Sequence, residues 1–126
     1  MKANELRIGN WILNKRYKSG YKMQIESIGE FGLNIELGYD GLNPLIGDDC
    51  SFNECEPIPL TDEWLVKFGF KEKNCGYLCK NKRIFISNSN YDFEYSCSFF
   101  DCDDYIEIKY VHQLQNIYFA LTNEEL

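Results

Sequence analysis

The stretch Glu56-Pro57-Ile58-Pro59-Leu60-Thr61-Asp62-Glu63-Trp64-Leu65-Val66-Lys67-Phe68-Gly69-Phe70 divides the chain and decides its fold class. Its first five residues are extended, because each proline disfavours the helical region in the residue before it. Thr61 or Asp62 can then cap a helix, with Asp62 and Glu63 at its positive end. Trp64, Leu65 and Phe68 lie on one apolar face of that helix, and Gly69 is a natural stop. A helix of about two turns is not stable alone in water, so it must dock through Trp64 and Phe68. Pro57 and Pro59 stiffen the junction before it.

On the N-terminal side the pattern is all β. Gly9 and Asn10 precede a short strand, Trp11-Ile12-Leu13. Tyr21 to Glu26 alternates apolar and polar residues, as does Leu33 to Leu37, with Gly29 to Gly32 as the turn between them. That period of two marks half-buried strands, so 21–37 is expected to be a hairpin. Residues 38–56 have loop composition with room for one short strand. Several short strands joined by tight glycine turns predict a small SH3-like β-barrel over 1–60, since closure hides sheet edges.

On the C-terminal side, Gly76–Lys80 and Arg83–Ile86 flank Asn81-Lys82, a two-residue hairpin turn. Phe93 to Phe99 alternates strictly, Asp101–Asp104 turns the chain, and Tyr105–Tyr110 is the last strand. Val111, Leu114, Tyr118 and Leu121 then recur at helical spacing, with His112, Gln113, Gln115 and Asn116 off that stripe. Residues 122–126 read as a frayed tail. The expected architecture is α+β: the barrel of 1–60, then an α-β-β-β-β-α antiparallel-sheet unit over 61–126 packed on it.

Composition bounds the function. The 126 residues amount to one domain or two very small ones, and 44% apolar with 26% charged residues is globular rather than disordered. Net charge is −7 and the isoelectric point about 4.7, which disfavours a basic, non-specific nucleic-acid binder. No apolar run approaches the roughly 20 residues of a membrane span. The N-terminal Met1 to Arg7 has neither an apolar core nor a cleavage site for secretion, which predicts a cytoplasmic protein with reduced thiols.

The six cysteines are Cys50, Cys55, Cys75, Cys79, Cys97 and Cys102. Cys50/Cys55 with Cys97/Cys102 could supply four thiolates to zinc, but Cys97 falls in an alternating strand, and buried free thiols are the plainer reading. The only histidine, His112, has no nucleophile or metal-ligand motif beside it, so a helix residue in solvent or hydrogen-bonded is expected. Asp101, Asp103 and Asp104 lack the rest of a calcium loop, and Asp48-Asp49 is only a pair. No phosphate-binding glycine loop and no nucleophile elbow occurs. No catalytic, cofactor or metal residue is therefore assigned.

Charge is unevenly placed. Lys67, Lys71, Lys73, Lys80, Lys82 and Arg83 face one acid, Glu72, in their stretch; Asp92, Glu94, Asp101, Asp103, Asp104 and Glu107 face no base. Cross-strand pairing of the two stretches is the simplest account. Alternatives are a nucleic-acid contact through Lys67–Arg83, or an acidic surface over 92–107 that mimics DNA. Tyr91, Phe93, Tyr95, Cys97 and Phe99 would share one strand face and serve the core; with Phe100 and Tyr105 they could also form an aromatic protein-binding patch.

Three blocks of the chain resemble a family of small proteins encoded by gut Bacteroidetes, their phages and prophages: Glu5-Leu-Arg-Ile-Gly-Asn10, Pro57 to Phe70, and Ile108-Lys-Tyr-Val-His-Gln-Leu-Gln-Asn-Ile-Tyr-Phe-Ala-Leu121. In that family the last block continues into Thr-Gly-Glu-Glu-Leu. Here Asn123 replaces the glycine, which asparagine tolerates because it too visits left-handed conformations. The cysteines are not part of the shared pattern. The resemblance implies a mobile-element protein acting inside a bacterium and carries no catalytic residues.

The expected function is a non-enzymatic module that binds a host or phage protein. The alternatives are an acidic antagonist of a host nucleic-acid enzyme and the nucleic-acid contact through Lys67–Arg83. A small enzyme would need a pocket gathering His112 with acids or thiols.

Overall fold

The computed structural model describes residues 1–15, 21–29, 33–36, 48–74, 76–79, 84–88, 95–99 and 105–126. It is mixed α+β, with two antiparallel five-stranded sheets and a C-terminal helix. The chain divides into two compact units, one of Met1–Ile58 with Val111–Glu125, the other of Pro59–Tyr110 with the terminal Leu126.

The first unit holds strands β1 (Trp11–Asn14), β2 (Tyr21–Ile28), β3 (Leu33–Glu36), β4 (Asp48–Cys50) and β5 (Cys55–Pro57), ordered β4-β3-β2-β1-β5. The expected hairpin is present, with Ile25 opposite Ile35 and an irregularity between Ile25 and Ser27. Alternation sends Ile12, Met23 and Ile25 inward, where they join Leu6, Cys50 and Cys55 in one buried cluster. A single helical turn, Phe52–Glu54, joins β4 to β5.

The sheet is strongly coiled. At the usual spacing of about 4.8 Å between strands, the edges of a flat five-stranded sheet stand about 19 Å apart. Here Cys50 of one edge strand and Cys55 of the other meet, Sγ to Sγ, at 3.1 Å. The closed barrel expected over 1–60 is nevertheless not found: no ladder joins β4 to β5 among the described residues.

The second unit begins with α1 (Asp62–Lys67); Thr61, one of the two residues the sequence offered, takes the N-cap position without a side-chain capping hydrogen bond. Its end is a Schellman motif: the Gly69 amide donates to Val66 O at 2.9 Å and the Phe70 amide to Leu65 O at 3.0 Å, with Gly69 at φ +82°. Trp64 and Leu65 are buried. The Trp64 and Phe68 rings lie 5.4 Å apart, and the Lys67 ammonium stands 4.4 Å over the indole.

After α1 come β6 (Lys71–Lys73), β7 (Gly76–Leu78), β8 (Ile84–Asn88), β9 (Tyr95–Phe99) and β10 (Tyr105–Ile108), an antiparallel meander ordered β10-β9-β8-β7-β6. The hairpin read around Asn81-Lys82 is confirmed by the β7–β8 ladder, although its turn lies outside the described residues. On β9, Tyr95 and Cys97 are buried and Ser96 and Ser98 are not, as the alternation requires. The Tyr95 hydroxyl donates to Asp62 Oδ1 at 2.6 Å, tying β9 to the first turn of α1. Burial and that carboxylate together raise the Tyr95 phenol far above its usual range.

Two expectations are corrected here. The four-strand count of the α-β-β-β-β-α unit missed β6, whose three residues are charged and exposed and show no alternation. The boundary of 61–126 also fails, because α2 (Val111–Thr122) clusters with the first unit, leaving the second without a closing helix. The second unit is thus inserted in sequence between β5 and α2. Its ends are adjacent, with a bridge between Pro59 and Tyr110 and the Leu60 amide donating to Lys109 O at 2.9 Å. Close ends are the condition under which an insertion leaves its host fold intact.

Candidate functional site

Each residue type that carries chemistry has a definite place. Of the two expectations for His112, a place in solvent is excluded: it is only 4% exposed, among the buried residues of α2. Burial lowers its proton affinity; the Glu5 carboxylate opposes this and the Met1 amino group adds to it. The ring is therefore held neutral. In the unfolded chain it titrates near 6.5. A group whose folded pKa is depressed stabilises the fold above its unfolded value and loses that contribution as pH falls. Unfolding free energy is expected to decline with acidification below about pH 6.5, and His112→Gln should flatten that slope. Identical slopes for both proteins in urea titrations over about pH 5 to 7 would refute the assignment.

The buried Gln115 and the half-buried Asn116, expected on the polar side of the same helix, form a polar lock. The Trp11 amide donates to Gln115 Oε1 at 2.9 Å, and Gln115 Nε2 donates to Gly9 O at 3.0 Å. Asn116 Oδ1 accepts from Asn10 Nδ2 at 3.0 Å, while Asn116 Nδ2 donates to Glu5 O at 3.0 Å. Asn10 in turn accepts from the Arg7 amide at 2.7 Å. The Arg7 guanidinium pairs with Glu125 and stands 3.7 Å over the Phe119 ring. Residues 122–126 are thus not a frayed tail. Asn123, at φ +56°, ends α2 and turns Glu125 back toward Arg7. The segments 5–10 and 115–119 meet in this lock.

The cysteines fall in different places. Cys50 and Cys55 form a buried pair in the first unit, while Cys79 and Cys97 are buried in the second. Burial pushes the Cys97 thiol up to about 12, with the neighbouring Cys79 adding to the shift. Cys75 and Cys102 lie outside the described residues. Among the described residues, no group of three or more His, Cys, Asp or Glu side chains could hold a metal ion.

The charged stretches do not meet as expected where they are described. Lys71 and Lys73 are on β6 and Glu107 is on β10, the opposite edges of one sheet. Glu107 instead pairs with Lys109 at 3.3 Å. Lys80, Lys82, Arg83, Asp92, Glu94, Asp101, Asp103 and Asp104 lie outside the described residues, as do Tyr91, Phe93 and Phe100 of the aromatic run.

The feature best suited to recognition is β10. Among the described residues it pairs with β9 alone, Tyr105 opposite Ser98 and Ile106 opposite Cys97. Directly opposed residues share a sheet face, so Ile106 stands on the face of Cys97 and Ile108, both fully buried. Ile106 itself is 47% exposed, and Tyr105 on the other face is 75% exposed. The core face is uncovered at this edge. The other edge, β6, is guarded by Lys71 and Lys73, the usual protection against strand addition. β10 has no such guard at Tyr105 and Ile106. Sequence reading found the strand but not its place at the edge of the sheet. The signal was its position, since the last strand of a meander has only one sequential neighbour.

Comparison with protein-family models, with curated proteins and with solved structures returned no match. No helix among the described residues is long and apolar enough to cross a membrane.

Proposed function

We propose that the protein is a non-enzymatic protein-interaction module whose β10 edge receives an extended segment of a partner protein. The carrying observation is the pair Tyr105 and Ile106, exposed on an edge strand whose opposite number is lysine-guarded. Backbone groups on such an edge supply the pairing, and side chains at alternate positions supply selectivity. An apolar side chain of the partner would cover Ile106, and an aromatic or aliphatic one would meet Tyr105. The first unit we take to be a partly open SH3-like barrel. Its order β4-β3-β2-β1-β5, with one helical turn before the last strand, supports that reading. The resemblance described above supports a phage or prophage origin and a role in a bacterial cytoplasm, with a host or phage protein as partner.

The test is affinity capture from a Bacteroidetes lysate, with and without nuclease, using wild type and Ile106→Lys. A saturable protein partner that survives nuclease and is lost with Ile106→Lys is the expected result. The substitution is at an exposed position, and circular dichroism verifies the fold. A partner that binds the variant equally well would remove β10 from the account. Recovery of a nucleic-acid enzyme would favour the acidic-antagonist reading. Binding abolished by nuclease would move the contact to Lys67–Arg83.

A further inference from the structure

We propose that Cys50 and Cys55 are a latent redox staple, a dithiol that closes into an intramolecular disulfide linking the two edge strands of the first sheet. Neither thiol is solitary. Their Sγ atoms are 3.1 Å apart, and both lie against one acceptor, Ser51 O, at 3.5 Å from Cys50 and 3.3 Å from Cys55. Bonding requires the sulfurs to approach by about 1 Å more, a movement within the reach of side-chain rotation.

The turn between them holds this geometry in advance. The Ser51 amide donates to Glu54 Oε2 at 3.1 Å, and the Glu54 amide donates to Ser51 O at 3.0 Å. Phe52 and Met1 pack against the cluster that contains both thiols, and the Met1 ammonium donates to Phe52 O at 3.3 Å. The pair is 2% and 3% exposed, so an oxidant reaches it when this one turn lifts, without opening the strands. Burial raises the Cys55 thiol, with the contact from Cys50 opposing. The pair is accordingly slow to react in a reducing compartment and responds to a sustained shift in poise.

The oxidant is a small disulfide of the glutathione class. The thiolate of one cysteine attacks a sulfur of glutathione disulfide, breaking that bond and releasing one glutathione. The second cysteine then attacks the protein sulfur of the mixed disulfide and releases the other. The protein gives up two electrons, and the two thiol protons end on the two glutathiones. Closure joins β4 to β5 covalently at the one place where the coiled sheet lacks a ladder, so it restrains the opening of both edge strands.

The experiment uses the native full-length protein, incubated with glutathione disulfide or with reduced glutathione, then alkylated in denaturant and mapped by mass spectrometry. The expected result is an intact mass lower by two hydrogen atoms, two fewer alkylated thiols, and a peptide linked through Cys50 and Cys55. Dithiothreitol should reverse it, and amide exchange at β4 and β5 should slow in the oxidised form. Cys55→Ser should instead retain a glutathione on Cys50. A link through any other cysteine in wild type, a persistent glutathione adduct there, or reaction only after denaturation would overturn the proposal.

Discussion

Gly76→Ala is expected to destabilise the second unit by about 3 kcal/mol, the upper end for overpacking a site that cannot relax. Gly76 is buried and faces Ser87 across the β7–β8 ladder. A Cβ there would fall far inside contact with the Ile86 carbonyl oxygen, and 2.6 Å from Cζ of Phe85. The Phe85 ring could rotate aside. The Ile86 carbonyl could not, because it belongs to the backbone of a strand paired on both sides. The ladder would have to separate at the position where the chain turns from β6 into β7. Urea unfolding read by far-ultraviolet circular dichroism would measure the loss. A cost under about 1 kcal/mol would mean that the hairpin yields without losing its pairing.

Gln115→Leu carries the second large effect, about 2–3 kcal/mol, through a different cause. The volume change is small and the helix propensity nearly unchanged, so packing and backbone terms cancel. What disappears is the acceptor of the Trp11 amide and one of two donors to Gly9 O, the other being Gln24 Nε2 at 2.9 Å. Gln115 is 1% exposed, so water does not replace it. Amide exchange at Trp11 should accelerate along with the fall in unfolding free energy. Asn116→Leu, at a partly exposed position, should cost less. Equal stability of Gln115→Leu and wild type would show that the lock is not what holds α2 to the first unit.

These two positions differ in how far sequence reading reaches them. The hairpin around Asn81-Lys82 was legible from its flanking strands, and a glycine opening the first strand is visible in the chain. That its missing Cβ makes room for a backbone carbonyl of the neighbouring strand is not, because the contact depends on register. Helical spacing put Gln115 off the apolar stripe of Val111, Leu114, Tyr118 and Leu121, and its burial was not legible there. Leu121, placed on that stripe, is 47% exposed. A polar side chain is buried when backbone groups elsewhere in the chain complete its hydrogen bonds, and Gly9 and Trp11 are more than a hundred residues away.

The proposed recognition edge shows the same division. Tyr105 to Tyr110 was read as the last strand, yet the exposure of Ile106 follows only from its place at the end of the order β10-β9-β8-β7-β6. The cysteines were weighed for zinc as Cys50/Cys55 with Cys97/Cys102. The structure brings Cys50 to Cys55 within the first unit and assigns Cys97 to the second.

The sequence by itself determined local elements: the proline-to-helix transition at 57–62, the Gly69 stop and the alternating strands read from Tyr21–Glu26 and Phe93–Phe99. Those features depend on backbone preference and on periodicity within a few residues, so they are written where they act. Tertiary structure alone decided that β6 forms without any apolar residue, that α2 returns to the first unit, that Gln115 and His112 are buried, and that the two edges of the first sheet meet at Cys50 and Cys55. The return of α2 and the burial of Gln115 are contacts between distant segments, whereas β6 pairs with the adjacent β7 and Cys55 lies five residues from Cys50. Periodicity states which face of an element is apolar, whereas the partner of that face is chosen by the burial and hydrogen bonding of the whole chain.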